Sequence, residues 1–169
     1  PGAARVPVRP RLVSDQTAKT RFVVLLRGVN VGKGNRVPMA GFRSMLEAMG
    51  HTGVKTLLNS GNAVFASPQR SEARHAAAIA SALREQLGVD TPVVVKSAAQ
   101  LAAIVAGAPA APPEEAHSRY LVAFASDPAG LQSLAPVLAV AKAPDRFEIG
   151  AHAAYLHCPG GLLDSPTAK

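Results

Sequence analysis

Phe22-Val23-Val24-Leu25-Leu26-Arg27-Gly28-Val29-Asn30-Val31-Gly32-Lys33-Gly34-Asn35 is an apolar run that turns abruptly into a glycine-rich, cationic loop. Phe22 to Leu26 show no polar alternation, a pattern that suits a central strand covered on both faces. Pro38 then fits a helix first turn, and Met39, Phe42, Met45, Leu46 and Met49 recur at helical spacing until Gly50 closes the helix. A Met-rich stripe of this kind is core material and is not read as a cofactor box.

Two strand-like runs follow, Val54 to Leu58 and Ala63 to Ala66, around Asn59-Ser60-Gly61-Asn62. Gly and Asn supply the positive φ angles of tight turns, which makes this a β-hairpin. Ala76, Ile79, Ala80, Leu83 and Leu87 form an apolar helical stripe that stops at Gly88, and Pro92 to Lys96 is again a strand. The order β-α-β-β-α-β predicts a ferredoxin-like unit over residues 21–97.

Beyond it, Ser97-Ala98-Ala99-Gln100 is a capping box opening a short helix through Ile104. Residues 107–116, rich in Ala and Pro, read as a loop. Tyr120 to Ala125 reads as a strand, and Asp127-Pro128 starts a helix running to about Leu134. Arg146 to Ile149 and Ala154 to His157 pair across Gly150-Ala151-His152, and Ser165-Pro166 starts a last helix that is cut off almost as it begins. Residues 98–169 are thus expected to form a second, smaller α+β subdomain. The fold class is α+β, preceded by a flexible basic tail at residues 1–20.

The chain has 169 residues, 48% hydrophobic and 17% charged, enough for a packed interior. It has neither an apolar run of the roughly 18–20 residues a membrane crossing needs nor a secretory pattern in residues 1–21. Cys158 is the single cysteine, so no internal disulfide forms; a reducing, cytoplasmic location without membrane partners is the simplest reading. Cys158 follows Tyr155-Leu156-His157 and precedes a proline, and is read as a structural thiol.

The net charge is +7, and its distribution is uneven. Residues 1–55 carry ten Lys or Arg against Asp15 and Glu47, a balance of +8, whereas the remainder carries eight basic and nine acidic groups, a balance of −1. About half of the excess lies before Phe22. The other half clusters around the glycine-rich loop.

That loop has the features of an anion site. Its glycines let the backbone approach a ligand with successive N–H groups turned one way. Arg27 and Lys33 add positive charge, Arg36 lies just beyond, and a helix beginning near Pro38 adds its positive end. The candidate ligand-binding residues are Arg27, Gly28, Asn30, Gly32, Lys33 and Asn35, joined by Ser60 and Asn62 of the hairpin turn. The spacing Gly28-x-x-x-Gly32-Lys33-Gly34 is one residue short of a Walker A loop and lacks the Ser or Thr that holds magnesium. It is not a dinucleotide fingerprint either. A glycine-rich turn with incidental surface cations is the competing reading. Whether Asn62 meets Arg27 depends on strand lengths that spacing leaves open.

The histidines add little. His51 follows a helix C-terminus, where a cation is favoured; His75 is placed on an exposed helical face; His152 lies in a turn. His152 and His157 have no second pair of ligands, so no metal and no cofactor is assigned. No Ser-His-Asp or Cys-His constellation can be specified.

Leu25-Leu26-Arg27-Gly28-Val29-Asn30-Val31-Gly32, with Asn35, Val37 and Met39, resembles the first motif of the bacterial domain-of-unknown-function family 1697. Ser60-Gly61-Asn62 followed by Val64-Phe65 resembles its second hallmark, and Tyr155-Leu156 with Pro159-Gly160 a later, weaker block. The resemblance runs from about Phe22 to the C-terminus. Gly32-Lys33-Gly34-Asn35 departs from the commoner Gly-Gly-Lys-Asn. Family members continue to an Arg-Asn-Trp segment, and this chain has no Trp, which implies a second subdomain truncated at its C-terminus. The resemblance implies an α+β fold of two ferredoxin-like subdomains joined near Lys96 to Gln100. It implies no activity, substrate or cofactor.

Two functions are weighed: binding of a small anion, phosphate or carboxylate, at the Arg27–Asn35 loop, and a nucleic-acid-binding module. Aromatic residues at 4% argue against the second. A partner-binding or scaffolding role has no particular residue for or against it.

Overall fold

The computed structural model describes residues 19–32, 34–109 and 114–168; the basic tail up to residue 18, and Lys33, lie outside the described residues. The first half follows the order β1 (Thr20–Leu26), α1 (Met39–Ala48), β2 (Thr52–Leu57), β3 (Asn62–Ser67), α2 (Glu72–Leu87) and β4 (Val93–Ser97). These strands form one antiparallel sheet in the order β2-β3-β1-β4. The expected β-α-β-β-α-β succession is present, and the protein is a mixed α+β fold.

The core lies between this sheet and the two helices α1 and α2. Phe22, Val24 and Leu26 of β1 and Phe65 of β3 point into it, against Phe42 and Leu46 of α1 and Ile79 and Leu83 of α2. Their period of two on the strands and of three to four on the helices sets which face each element buries. Val23 and Leu25, on the other face of β1, are only half-buried. β1 is therefore central as its composition predicts, but it is fully covered on one face alone. The absence of alternation reflects partial cover of the second face, where α3 (Ala98–Ala106) lies against β1 and β4.

Helix boundaries follow local chemistry. Ser71 accepts from the N–H of Arg74 at the start of α2, and Gly88 ends it at φ +66°. The Ser97–Gln100 capping box is fully formed, each side chain bonding the other residue's backbone N–H. Asp127 accepts from Gly130 N–H to start α4 (Pro128–Gln132).

The second half adds a 3-10 helix (Glu114–Arg119), β5 (Tyr120–Ala123), α4, α5 (Ala135–Val140), β6 (Arg146–Ile149) and β7 (Ala154–His157). Its strands form a three-stranded antiparallel sheet ordered β5-β7-β6. The described residues therefore do not repeat β-α-β-β-α-β, contrary to the expectation of two like subdomains. Two further expectations are corrected. α5 had not been anticipated, and Ser165-Pro166 opens a turn, in which Ser165 Oγ accepts from Ala168 N–H, and not a helix. Tyr155, 3% exposed, joins this sheet to α3 by donating its hydroxyl to Ile104 O at 2.6 Å.

Candidate functional site

Strand register decides what the two sequence motifs do. In the antiparallel β1–β3 pair, Leu25 faces Asn62, so the end of β1 and the Leu58–Gly61 turn sit side by side. Leu26 N–H donates to Gly61 O at 3.2 Å. Gly61 has φ +77°, and a Cβ there would come within 2.5 Å of Val29 Cγ2 and 2.8 Å of Leu26 Cβ. Glycine is required twice over, by the left-handed backbone and by the approach of the loop. Leu58, expected to end β2, sits in the turn at φ +53°.

Asn30 is the clamp. Its side-chain nitrogen donates to Val37 O and to Asn59 O, both at 2.9 Å, and its Oδ1 accepts from Val37 N–H at 2.8 Å. Its own N–H donates to Asn35 O at 3.0 Å. One side chain thus closes the loop upon itself and ties it to the hairpin turn. Asn at φ +57° suits this role, because its short amide tolerates left-handed backbone. Sequence reasoning counted Asn30 among ligand contacts, but its hydrogen-bonding atoms are engaged within the protein, so its contribution is to position its neighbours.

The loop's other side is anchored by the start of β4. Arg27 N–H donates to Pro92 O at 3.2 Å, and the buried Thr91 donates its hydroxyl to Arg27 O. Thr91 was missed by sequence reasoning, since nothing local links it to a residue 64 positions earlier. Val29, buried at 3%, is the loop's hydrophobic anchor.

What faces outward is cationic backbone and side chain. Arg27, Gly28, Gly32, Asn35 and Arg36 are exposed, and Gly28, Asn30, Gly32 and Asn35 have φ of +66°, +57°, +62° and +48°. Among the described residues, Arg27 and Arg36 enter no ion pair, and the N–H groups of Gly28, Val31 and Gly32 have no acceptor. α1 begins behind the loop with no side-chain cap and no acidic residue in its first turn, so its positive end is uncompensated. Ser60 is exposed and Asn62 half-buried; Asn62 Nδ2 donates to Ser60 Oγ at 3.0 Å. The structure therefore brings together Arg27, Gly28, Asn30, Gly32, Asn35, Ser60 and Asn62. Lys33 lies outside the described residues.

Two histidines are corrected. His75 is 4% exposed, not on a solvent face, and its Nε2 lies 2.9 Å from Gln69 O. His51 is 9% exposed, and its ring stacks on Phe65 at 4.3 Å and meets His75 edge-on at 5.1 Å. Burial lowers the His51 pKa below the ordinary 6.5, and the charge of His75 adds to the effect. Its Nε2 is buried without a partner, so a proton there is disfavoured and the helix dipole does not make it a cation. Because the folded-state pKa is depressed, stability is full above the unfolded pKa and is lost as pH falls below about 6.5 towards the folded value. Denaturant titrations between pH 7.5 and 5 are expected to show this fall, and His51→Phe is expected to flatten it.

Fold and site define a mixed α+β protein whose glycine-rich cationic loop is clamped to a hairpin turn. The chain belongs to the family described as Protein of unknown function (DUF1697), which matches residues 19–155. Among solved structures, it is similar to the conserved bacterial protein SP0830 from Streptococcus pneumoniae, at 22% identity over 89% of each chain and a TM-score of 0.72; at that identity the likeness establishes the fold alone. No curated protein matches the chain. Among the described residues, no helix is long and apolar enough to cross a membrane, and no group of three or more His, Cys, Asp or Glu is arranged to hold a metal ion.

Proposed function

We propose that the protein binds a small anion, a phosphate or a carboxylate, on the outer surface of the loop from Arg27 to Arg36 where it adjoins the 59–62 turn. The observation that carries this reading is the Asn30 clamp. It fixes the loop backbone, with its open N–H groups, beside the exposed Arg27, which enters no ion pair, and uses neither. A loop fixed in advance loses little entropy when a ligand arrives, so modest contacts yield measurable affinity. The guanidinium supplies a charge-assisted hydrogen bond, and the open N–H groups of Gly28, Val31 and Gly32 supply neutral ones. Lys33 is proposed as a second cation of the same site.

Thermal stability in the presence of phosphate, nucleotides and carboxylates tests the proposal. An anion at 100 times its Kd is expected to stabilise the fold by about 2.7 kcal/mol. Arg27→Ala is expected to weaken that binding about tenfold, or about 1.4 kcal/mol. A chain insensitive to every anion, or an Arg27→Ala variant that binds as well as the parent, would overturn it. No observation favours the nucleic-acid reading. The half-covered sheet face presents Arg21, Val23, Leu25, Lys55 and Val64, with no aromatic ring for a base to stack upon.

A further inference from the structure

We infer that the cleft around Lys96 is a second binding site, separate from the glycine-rich loop, and that it takes a short-chain monocarboxylate. Lys96 is the penultimate residue of β4, paired with Val23 on the half-covered face of the sheet, and it is 8% exposed. Lysines this buried are normally paired, because an uncompensated ammonium away from water is costly. Among the described residues, however, Lys96 makes no hydrogen bond and no ion pair. Its nitrogen is not among the fully enclosed unpartnered atoms, which are His51 Nε2, Tyr120 Oη and Thr167 Oγ1. The ammonium therefore keeps a small opening, and the cleft it lines supplies that opening.

The cleft has a volume of about 130 Å³ and is walled by α3, the segment between β5 and α4, and the β6–β7 turn. A cavity of about 150 Å³ accommodates benzene, so the ligand is limited to about six non-hydrogen atoms. Gln100 uses its Oε1 on Ser97 N–H, leaving its amide nitrogen as a donor. Ser126 offers a hydroxyl, and the exposed His152 stands at the rim. Ile104 and Leu131, 2% and 5% exposed, make an apolar wall suited to a two- to four-carbon chain. Asp127 bears on the charge of the ligand, because a carboxylate on the wall repels a doubly charged anion more than a singly charged one. It accepts from Gly130 N–H at 2.7 Å and lines the cleft with Lys96. An ammonium, a free amide donor, a hydroxyl and an apolar end wall together fit a monocarboxylate better than a phosphate.

Amide resonances of Gln100, Ser126 and His152, followed while the full chain is titrated with propanoate, test the inference. Saturable shifts are expected, with Kd at least tenfold tighter than for chloride. Lys96→Met, which keeps the stem and removes the charge, is expected to raise Kd at least tenfold. Arg27→Ala is expected to leave it within twofold, which separates this site from the loop. Should Lys96→Met fail to fold, Gln100→Glu preserves the capping box and sets a negative charge where the ligand carboxylate would lie, abolishing binding. The inference is overturned by absent saturation at these amides, by equal affinity for chloride, or by binding that survives the cleft substitution.

Discussion

Gly61→Ala is expected to destabilise the protein by about 3 kcal/mol, combining the strain of a left-handed Cβ with overpacking of a filled core, each costing about 1–3 kcal/mol. The added methyl would lie 2.5 Å from Val29 Cγ2 and 2.8 Å from Leu26 Cβ, both on buried residues with no open space to retreat into. For a chain of this size, the corresponding fall in Tm is roughly 6–12 °C. Gly32→Ala is the control. Gly32 has φ +62°, but a Cβ there meets nothing within 4 Å, so backbone strain of about 1 kcal/mol is all that is expected. Denaturant unfolding of both variants separates the two causes. Equal losses would mean that the loop and the hairpin turn do not touch as described.

Asn30→Ala is expected to cost about 2–3 kcal/mol. It removes the side-chain hydrogen bonds to Val37 O, Val37 N–H and Asn59 O together with the weaker one to Met39 Sδ, leaves the N–H and C=O of the buried Val37 without partners, and puts an alanine at φ +57°. Asn30→Asp is expected to fare no better. It keeps the acceptor for Val37 N–H but turns two donor bonds into contacts between a carboxylate and the carbonyls of Val37 and Asn59. Hydrogen exchange at the Val37 amide reads the effect locally, with protection lost in Asn30→Ala, which removes its acceptor. Anion affinity at the loop should fall with it, because the ligand would then bear the cost of ordering the loop. An Asn30→Ala protein with full Val37 protection would contradict the clamp.

These two residues also mark where sequence reasoning ends. The elements of the first half are legible because their signals are local. A five-residue apolar run, an Asn-Ser-Gly-Asn turn and a Ser97–Gln100 capping box each carry their own geometry. The glycine-rich loop stands out as a cationic segment for the same reason. The meeting of loop and turn is not local. It follows from Leu25 pairing with Asn62, a register set by the whole β1–β3 ladder, and so Asn30 reads as a ligand contact and Thr91 does not register at all. His51 and His75 were misplaced because an imidazole on a helix or after a cap has no periodic signature of its own. Only the packing of Phe22 and Phe65 around them reveals burial. Lys96 is hidden likewise: one cation in an apolar strand looks like a boundary residue until α3 and the second sheet close over it.

We propose the clamped loop as an anion site. Its most direct test is a phosphate titration of the isotopically labelled chain, followed at the backbone amides of Gly28, Val31, Gly32 and Asn62. The predicted result is saturable movement of these four resonances with one common Kd, abolished when Arg27 and Arg36 are both replaced by alanine. Resonances that stay still up to the highest phosphate concentration, or that drift without saturating and equally in the double variant, would contradict it.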